Sequence, residues 1–138
     1  MKRNIATFER RIRPICFTAV AALALVLPAF AFGEEQADLA RGEEMWAKCK
    51  ACHTYAKDGR HIVGPRLFGM FGRRAGALAD YRYSETMKNS TVVWDDATLD
   101  KFLEATQDYM PGSKMYGGLT NPEDRLSLIA WLKKVTRE

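Results

Sequence analysis

The chain has 138 residues, room for one ordinary domain, and its 47% hydrophobic and 28% charged residues suit a packed core and exclude wholesale disorder. A formal charge of +4 would suit a polyanionic partner, but five of the 21 basic residues and one of the 17 acidic ones lie in residues 1–13, leaving 16 of each elsewhere. A body that is neutral overall carries no nucleic-acid footprint.

The basic residues Lys2, Arg3, Arg10, Arg11 and Arg13 precede an uncharged run from Pro14 that lasts until Glu34 and contains Ala29-Phe30-Ala31. A cationic head, an apolar stretch and small residues at a fixed spacing are the parts of a secretory signal. The expectation is a cleavable signal peptide over residues 1–31, cut after Ala31 (Gly33 is the rival), and an exported domain over residues 32–138. A transmembrane anchor competes, because the run approaches the ~20 residues a bilayer needs. Pro28 and the polar residues from Glu34 onward oppose it. Cys16 falls within the leader and reads as a small apolar residue.

Asp38 to Lys48 is free of Pro, with Leu39, Met45 and Trp46 as its apolar residues and Gly42 as its weak helix former, and it predicts a short helix. That helix runs into Cys49-Lys50-Ala51-Cys52-His53. Three chemistries use such a pair of thiols. A zinc site wants two further Cys or His ligands, and His61 is the one His left. A thioredoxin-type disulfide needs a strand–helix context, and nothing in this chain reads as a strand. Covalent attachment of a c-type haem fits best. Each thiol adds across one vinyl group, the two-residue gap matches the vinyl separation, and His53 is delivered under the ring to ligate iron. An export signal agrees, because bacteria attach this haem outside the cytoplasm.

Further elements follow in order. Residues 56–83 read as a Gly- and Pro-containing loop. Asp95 or Asp96 caps a second helix whose Leu99, Phe102 and Leu103 share one face. Residues 106–121 read as a second loop. The last helix takes Asn121 as N-cap and Pro122 at its first position, with Glu123 and Asp124 in the first turn and Lys133, Lys134 and Arg137 at the other end. Leu128, Trp131, Leu132 and Val135 form its apolar face. The fold class is all-α, a few helices and long loops. Loops that long are uncommon in a compact domain unless something buries them, and a haem would supply the missing apolar surface.

Iron needs a sixth ligand or an open site. His61 is one candidate; Met45, Met70, Met87, Met110 and Met115 are the others. Met is by default a core filler, and a loop His is usually solvated. Met45 belongs to the first helix and does not reach the far haem face. Met115 is singled out by the Pro111-Gly112-Ser113-Lys114 turn that projects it from its loop. A Met sulfur paired with a His nitrogen favours ferrous iron and raises the potential, which suits electron transfer.

The chain resembles the class I c-type cytochromes, near the cytochrome c2 and mitochondrial cytochrome c group. The likeness rests on Cys49-x-x-Cys52-His53, Gly64-Pro65-x-Leu67-x-Gly69, Phe71-Gly72-Arg73-x-x-Gly76, Tyr83, Trp94 and Tyr109-Met110-Pro111-Gly112-Ser113-Lys114-Met115. It extends from Gly42 to the last helix. The resemblance implies a class I cytochrome c fold around one haem c held by Cys49 and Cys52, with His53 and Met115 as iron ligands. It implies that the Pro65 carbonyl holds the His53 ring, a role just outside the metal's own ligands. It also implies that Arg73, Tyr83 and Trp94 surround the propionates. Two positions depart from the family pattern: Phe102 stands where Tyr is usual, and Met87 where Asn is common. Both make the Met side of the haem drier.

The function so implied is that of a soluble periplasmic monohaem electron carrier, a monomer and not an enzyme. Its donors and acceptors would be proteins such as a cytochrome bc1 complex, a terminal oxidase, a photosynthetic reaction centre or a periplasmic dehydrogenase. Two alternatives are a ligand-binding or peroxidase-like haem protein with a labile Met115, and a dedicated acceptor of one dehydrogenase. The family's ring of cations at the haem edge would fall on Lys48, Lys50, Arg66, Lys88 and Lys114. The acids Asp95, Asp96, Asp100, Glu123, Asp124 and Glu138 lie in the second and last helices, so a neutral body can carry a dipole that orients approach.

Overall fold

A computed structural model describes residues 38–137; the expected signal segment lies outside them. Among the described residues five helices follow one another: α1 (Leu39–Trp46), α2 (Glu85–Asn89), α3 (Asp96–Glu104), α4 (Thr106–Tyr109) and α5 (Pro122–Val135). Among the described residues there is no strand, only an isolated antiparallel bridge between Arg74 and Val93. The all-α expectation holds.

Each long helix starts where its capping chemistry places it. The Asp38 carboxylate accepts from the backbone N–H groups of Ala40 and Arg41 and opens α1. Asp95, not Asp96, caps α3, in a reciprocal box with Thr98. Asn121 accepts from the Glu123 N–H ahead of Pro122, and α5 runs 14 residues to Val135 with Lys133 and Lys134 in its last turn. The first helix ends two residues earlier than its sequence predicts, at Trp46, and the chain then turns through the Cys-x-x-Cys segment. Two short helices were not legible. One is α4, inside the expected loop 106–121; the other is α2, between the expected elements. At four and five residues they lack the periodic apolar face from which a helix is read.

The core is one cluster contributed mainly by α3 and α5, with Leu99, Phe102 and Leu103 facing Leu128, Ile129, Trp131 and Leu132. Crossing of α1 over α5 depends on Gly42, which is buried. A Cβ at Gly42 would meet the Trp131 Cβ at 2.6 Å and collide with the Ser127 carbonyl oxygen. The residue that weakens α1 as a helix therefore permits its closest contact. Beside it Trp46 packs on Trp131 at 5.6 Å, and Tyr55 closes the group edge-on to both rings. Arg41 ties the same two helices from outside, donating to Asp124 and Glu123 at 2.7 Å each.

Gly42→Ala should therefore destabilise the folded protein by about 1–3 kcal/mol through overpacking, a fall of ~4–8 °C in melting temperature for each kcal/mol. A thermal melt followed by far-UV circular dichroism checks it; an unchanged midpoint contradicts the close crossing.

Candidate functional site

The motif Cys49-x-x-Cys52-His53 sits in tight turns directly after α1. The Cys52 and His53 N–H groups both donate to the Cys49 carbonyl, at 3.0 Å each. Both thiols are free and half-buried, so the pair is no disulfide. Burial pushes the Cys49 thiol up, with the neighbouring Cys52 acting in the same direction.

His53 is the most tightly defined group of the site. Its Nδ1 lies 2.7 Å from the Pro65 carbonyl oxygen. A carbonyl only accepts, so Nδ1 carries the proton and Nε2 keeps its lone pair for a metal. Burial lowers the His53 pKa below its ordinary 6.5, while the bond to Pro65 acts the other way. The imidazole is thus neutral at pH 7, the form that ligates. The Pro65 segment is itself held against the motif, since the Gly64 N–H donates to the Cys52 carbonyl at 2.7 Å and the Leu67 N–H to the Thr54 carbonyl at 2.8 Å. Gly64 has a role that its sequence position hides: a Cβ there would collide with the His53 ring.

A cavity of about 330 Å³ opens beside these groups. Cys49, Cys52, His53, Pro65, Arg73, Tyr83, Trp94 and Met115 all line it, so every sequence-predicted site residue reaches one place. Leu67, Leu99, Phe102, Leu128 and Leu132 give it apolar walls, and Met87 and Phe102, the two departures from the family pattern, both face it. A native core holds few voids larger than a water molecule. An apolar space of this size, with two thiols and a lone-pair nitrogen on its wall, fits a covalently held, metal-bearing macrocycle.

The cavity also sorts the candidates for the sixth ligand. Met70, Met87 and Met115 line it; Met45, Met110 and His61 do not. His61 is engaged elsewhere: its Nδ1 accepts from the Arg66 backbone N–H at 3.0 Å, its Nε2 lies 3.2 Å from Asp80, and its ring packs on Tyr81. Arg73 turns its guanidinium toward the Phe68 and Arg66 carbonyls, and Tyr83 is half-buried against Tyr81. Trp94 is buried and packs on Phe102 at 5.2 Å.

Of the expected ring of cations, three have a partner in the fold. Arg66 pairs with Asp80 at 2.7 Å, Lys88 with Glu85 at 2.8 Å, and Lys114 donates to the Arg82 carbonyl at 2.8 Å. Lys48 and Lys50 are exposed.

The sequence model of the cytochrome c family matches residues 39–136. The chain belongs to the cytochrome c family. It is 46% identical over 101 residues to cytochrome c of Chlamydomonas reinhardtii, covering 72% of this chain and 90% of that protein. It is 41% identical over 115 residues to cytochrome c2 of Rhodomicrobium vannielii, covering 83% and 90%. With cytochrome c of Theileria annulata it shares 43% over 103 residues, covering 73% and 89%. The class I c-type resemblance holds. As in its family, the cofactor is one covalently attached haem c, with Cys49 and Cys52 in the attachment motif, and the chain is a haem-based electron carrier.

The Arg66–Asp80–His61 cluster gives the site's surroundings a measurable pH signature. Arg66 first and His61 second hold the Asp80 carboxyl at about 2, below its ordinary 3.8. A carboxylate with a lowered folded pKa stabilises above its unfolded value and loses that contribution as the pH falls through the folded one. The stability difference between wild type and Asp80→Asn should be full above pH 3.8 and close as the pH approaches 2. Asp80 is exposed, so the difference is small and shrinks with salt. Urea midpoints across that range test it; a difference that persists undiminished at pH 2 contradicts the assignment.

Proposed function

We propose that this chain is an exported, periplasmic single-electron carrier, not an enzyme, whose haem iron is held by His53 and Met115. One observation carries the reading: His53, with Nδ1 committed to Pro65 and Nε2 open, and Met115 share one apolar cavity. A neutral imidazole and a thioether are the pair that favours ferrous iron. The haem supplies the redox change, one electron at a time. The polypeptide's part is to keep both ligands in place and keep water out, so that little rearranges when the charge changes.

Each wall of the cavity has a role in that task. Pro65 fixes the tautomer and orientation of His53, and Gly64 leaves the ring its space. Phe102, Met87 and Leu99 line the cavity with apolar groups. Arg73, Tyr83 and Trp94 line the cavity and bear N–H and O–H groups of the kind that buried propionates would require.

Export rests on the leader pattern of residues 1–31, cleaved to leave 32–138. No helix among the described residues is long and apolar enough to cross a membrane. Redox proteins of the exported compartment, such as a cytochrome bc1 complex, a terminal oxidase, a reaction centre or a dehydrogenase, are the partners this reading implies, met by a monomer through small and short-lived contacts. Lys48 and Lys50, exposed on either side of Cys49, and Lys114, which lines the cavity, are the cations that would steer an acidic partner.

The ligand pair has a direct spectroscopic test. The oxidised protein should show the weak near-infrared charge-transfer band of Met–Fe(III) ligation, and Met115→Ala should abolish it while His61→Ala leaves it intact. Loss of the band in Met70→Ala or Met87→Ala, with Met115→Ala unaffected, would mean the wrong sulfur was chosen. Steering is tested separately. Lys50→Glu should slow electron transfer to an acidic partner at low salt, and the difference should fade near ~0.15 M, where the Debye length is about 8 Å. A rate insensitive to both charge and salt would indicate apolar docking.

A further inference from the structure

The loop that carries Met115 is fastened at both ends. At its start the Ser113 N–H donates to the Met110 carbonyl at 3.1 Å, and Gly112 takes a positive φ of 79° in the turn. At its end the Leu119 N–H donates to the Leu103 carbonyl at 2.8 Å, and the buried Arg125 donates to the Leu119 and Thr120 carbonyls at 2.9 and 3.0 Å. Neither set touches Met115. The shorter side-chain bond to Met115 comes from α4. Nε2 of Gln107 lies 2.8 Å from the Met115 carbonyl oxygen, 3.0 Å from the Ser113 carbonyl oxygen and 2.9 Å from the Ser113 hydroxyl. Two of these partners are carbonyls, so the amide's NH2 group faces them and its orientation is unambiguous. The Ser113 hydroxyl, nearly inaccessible at 1% exposure, in turn donates to the Met115 carbonyl at 3.3 Å.

We propose that Gln107 is the positioning residue for Met115, its side-chain amide bridging Ser113 and Met115 so that the thioether stays aimed into the cavity. This rests on Met115 being the sixth ligand. The physical reasoning is local. A Met side chain has three rotatable bonds and little directional preference of its own, so its aim is set by the backbone from which it springs. Removal of Gln107 would leave the Met115 carbonyl with the longer bond to Ser113, and the middle of the loop with that bond and the Lys114 ammonium on the Arg82 carbonyl at 2.8 Å. The short helix α4 gains a purpose here: it holds Gln107 beside residues 113–115, six and eight positions along the chain.

The test uses the ferric haem-loaded protein and imidazole as an incoming ligand, read by loss of the near-infrared Met–iron band. Gln107→Leu keeps size and removes the donors; it should speed imidazole uptake about tenfold, the scale expected when a hydrogen bond of this kind is lost. Ser113→Ala should speed it by a smaller factor. Because the two residues act in one network, Gln107→Leu/Ser113→Ala should fall well short of the product of the single effects. A role in general packing would lower the melting temperature and leave imidazole uptake where it was, and that result overturns the proposal. Single effects that multiply fully in the double variant overturn it too. If Gln107→Leu fails to load haem, Ser113→Ala decides: uptake at the wild-type rate counts against the bridge. A wild type that lacks the band overturns the Met115 ligation itself, and the bridge with it. A band present in the wild type and equally resistant to imidazole in both variants overturns the bridge alone.

Discussion

The apolar cavity of about 330 Å³ is the constraint from which the rest of the structure follows. Its walls and the hydrophobic core are largely the same residues: Trp94, Leu99, Phe102, Leu103, Leu128 and Leu132 belong to both. Protein interiors pack like organic crystals, so a space of that size in a core calls for a large apolar occupant. The covalent haem of the cytochrome c family is such an occupant, and it explains how long loops coexist with few helices. Residues 47–84 and 110–121 contain no helix among the described elements, yet they carry the thiols, both proposed iron ligands and the Pro65 carbonyl. Loops of this kind stay ordered when both ends are tied and the middle has something to pack against.

Much of this was legible in the sequence because the signals are short in range. Asp38, Asp95 and Asn121 announce helix starts through chemistry completed within three residues. Cys49, Cys52 and His53 form a motif whose spacing reflects the porphyrin edge. The shared face of Leu128, Trp131 and Leu132 follows from helical period alone. Arg73, Tyr83, Trp94 and Pro65 could be named only through family resemblance, since no local pattern connects a residue near position 94 with one near position 49.

What escaped the sequence depends on distance through space. Gly42 reads as a helix weakness, and only the approach of Trp131 and Ser127 turns it into a requirement. Gly64 stands in the sequence only as part of a family motif, and its reason appears when the His53 ring is seen against it. Gln107 carries no motif; its importance appears when its amide is found between Ser113 and Met115. The partners of the cations are hidden from the sequence for the same reason: the fold gives Arg66, Lys88 and Lys114 each an acceptor.

If core and cofactor site are one structure, the polypeptide without covalent haem should not keep its native packing. The most direct measurement compares the haem-loaded protein with Cys49→Ala/Cys52→Ala, which cannot form either thioether, by amide dispersion in a proton–nitrogen NMR spectrum and by calorimetric melting. The account predicts collapsed dispersion and no cooperative heat transition in the variant, beside a dispersed spectrum and a sharp transition in the haem-loaded protein. A haem-free variant with native dispersion and an unchanged melting temperature would contradict it, because the walls of the cavity would then stand without the group they are built to hold.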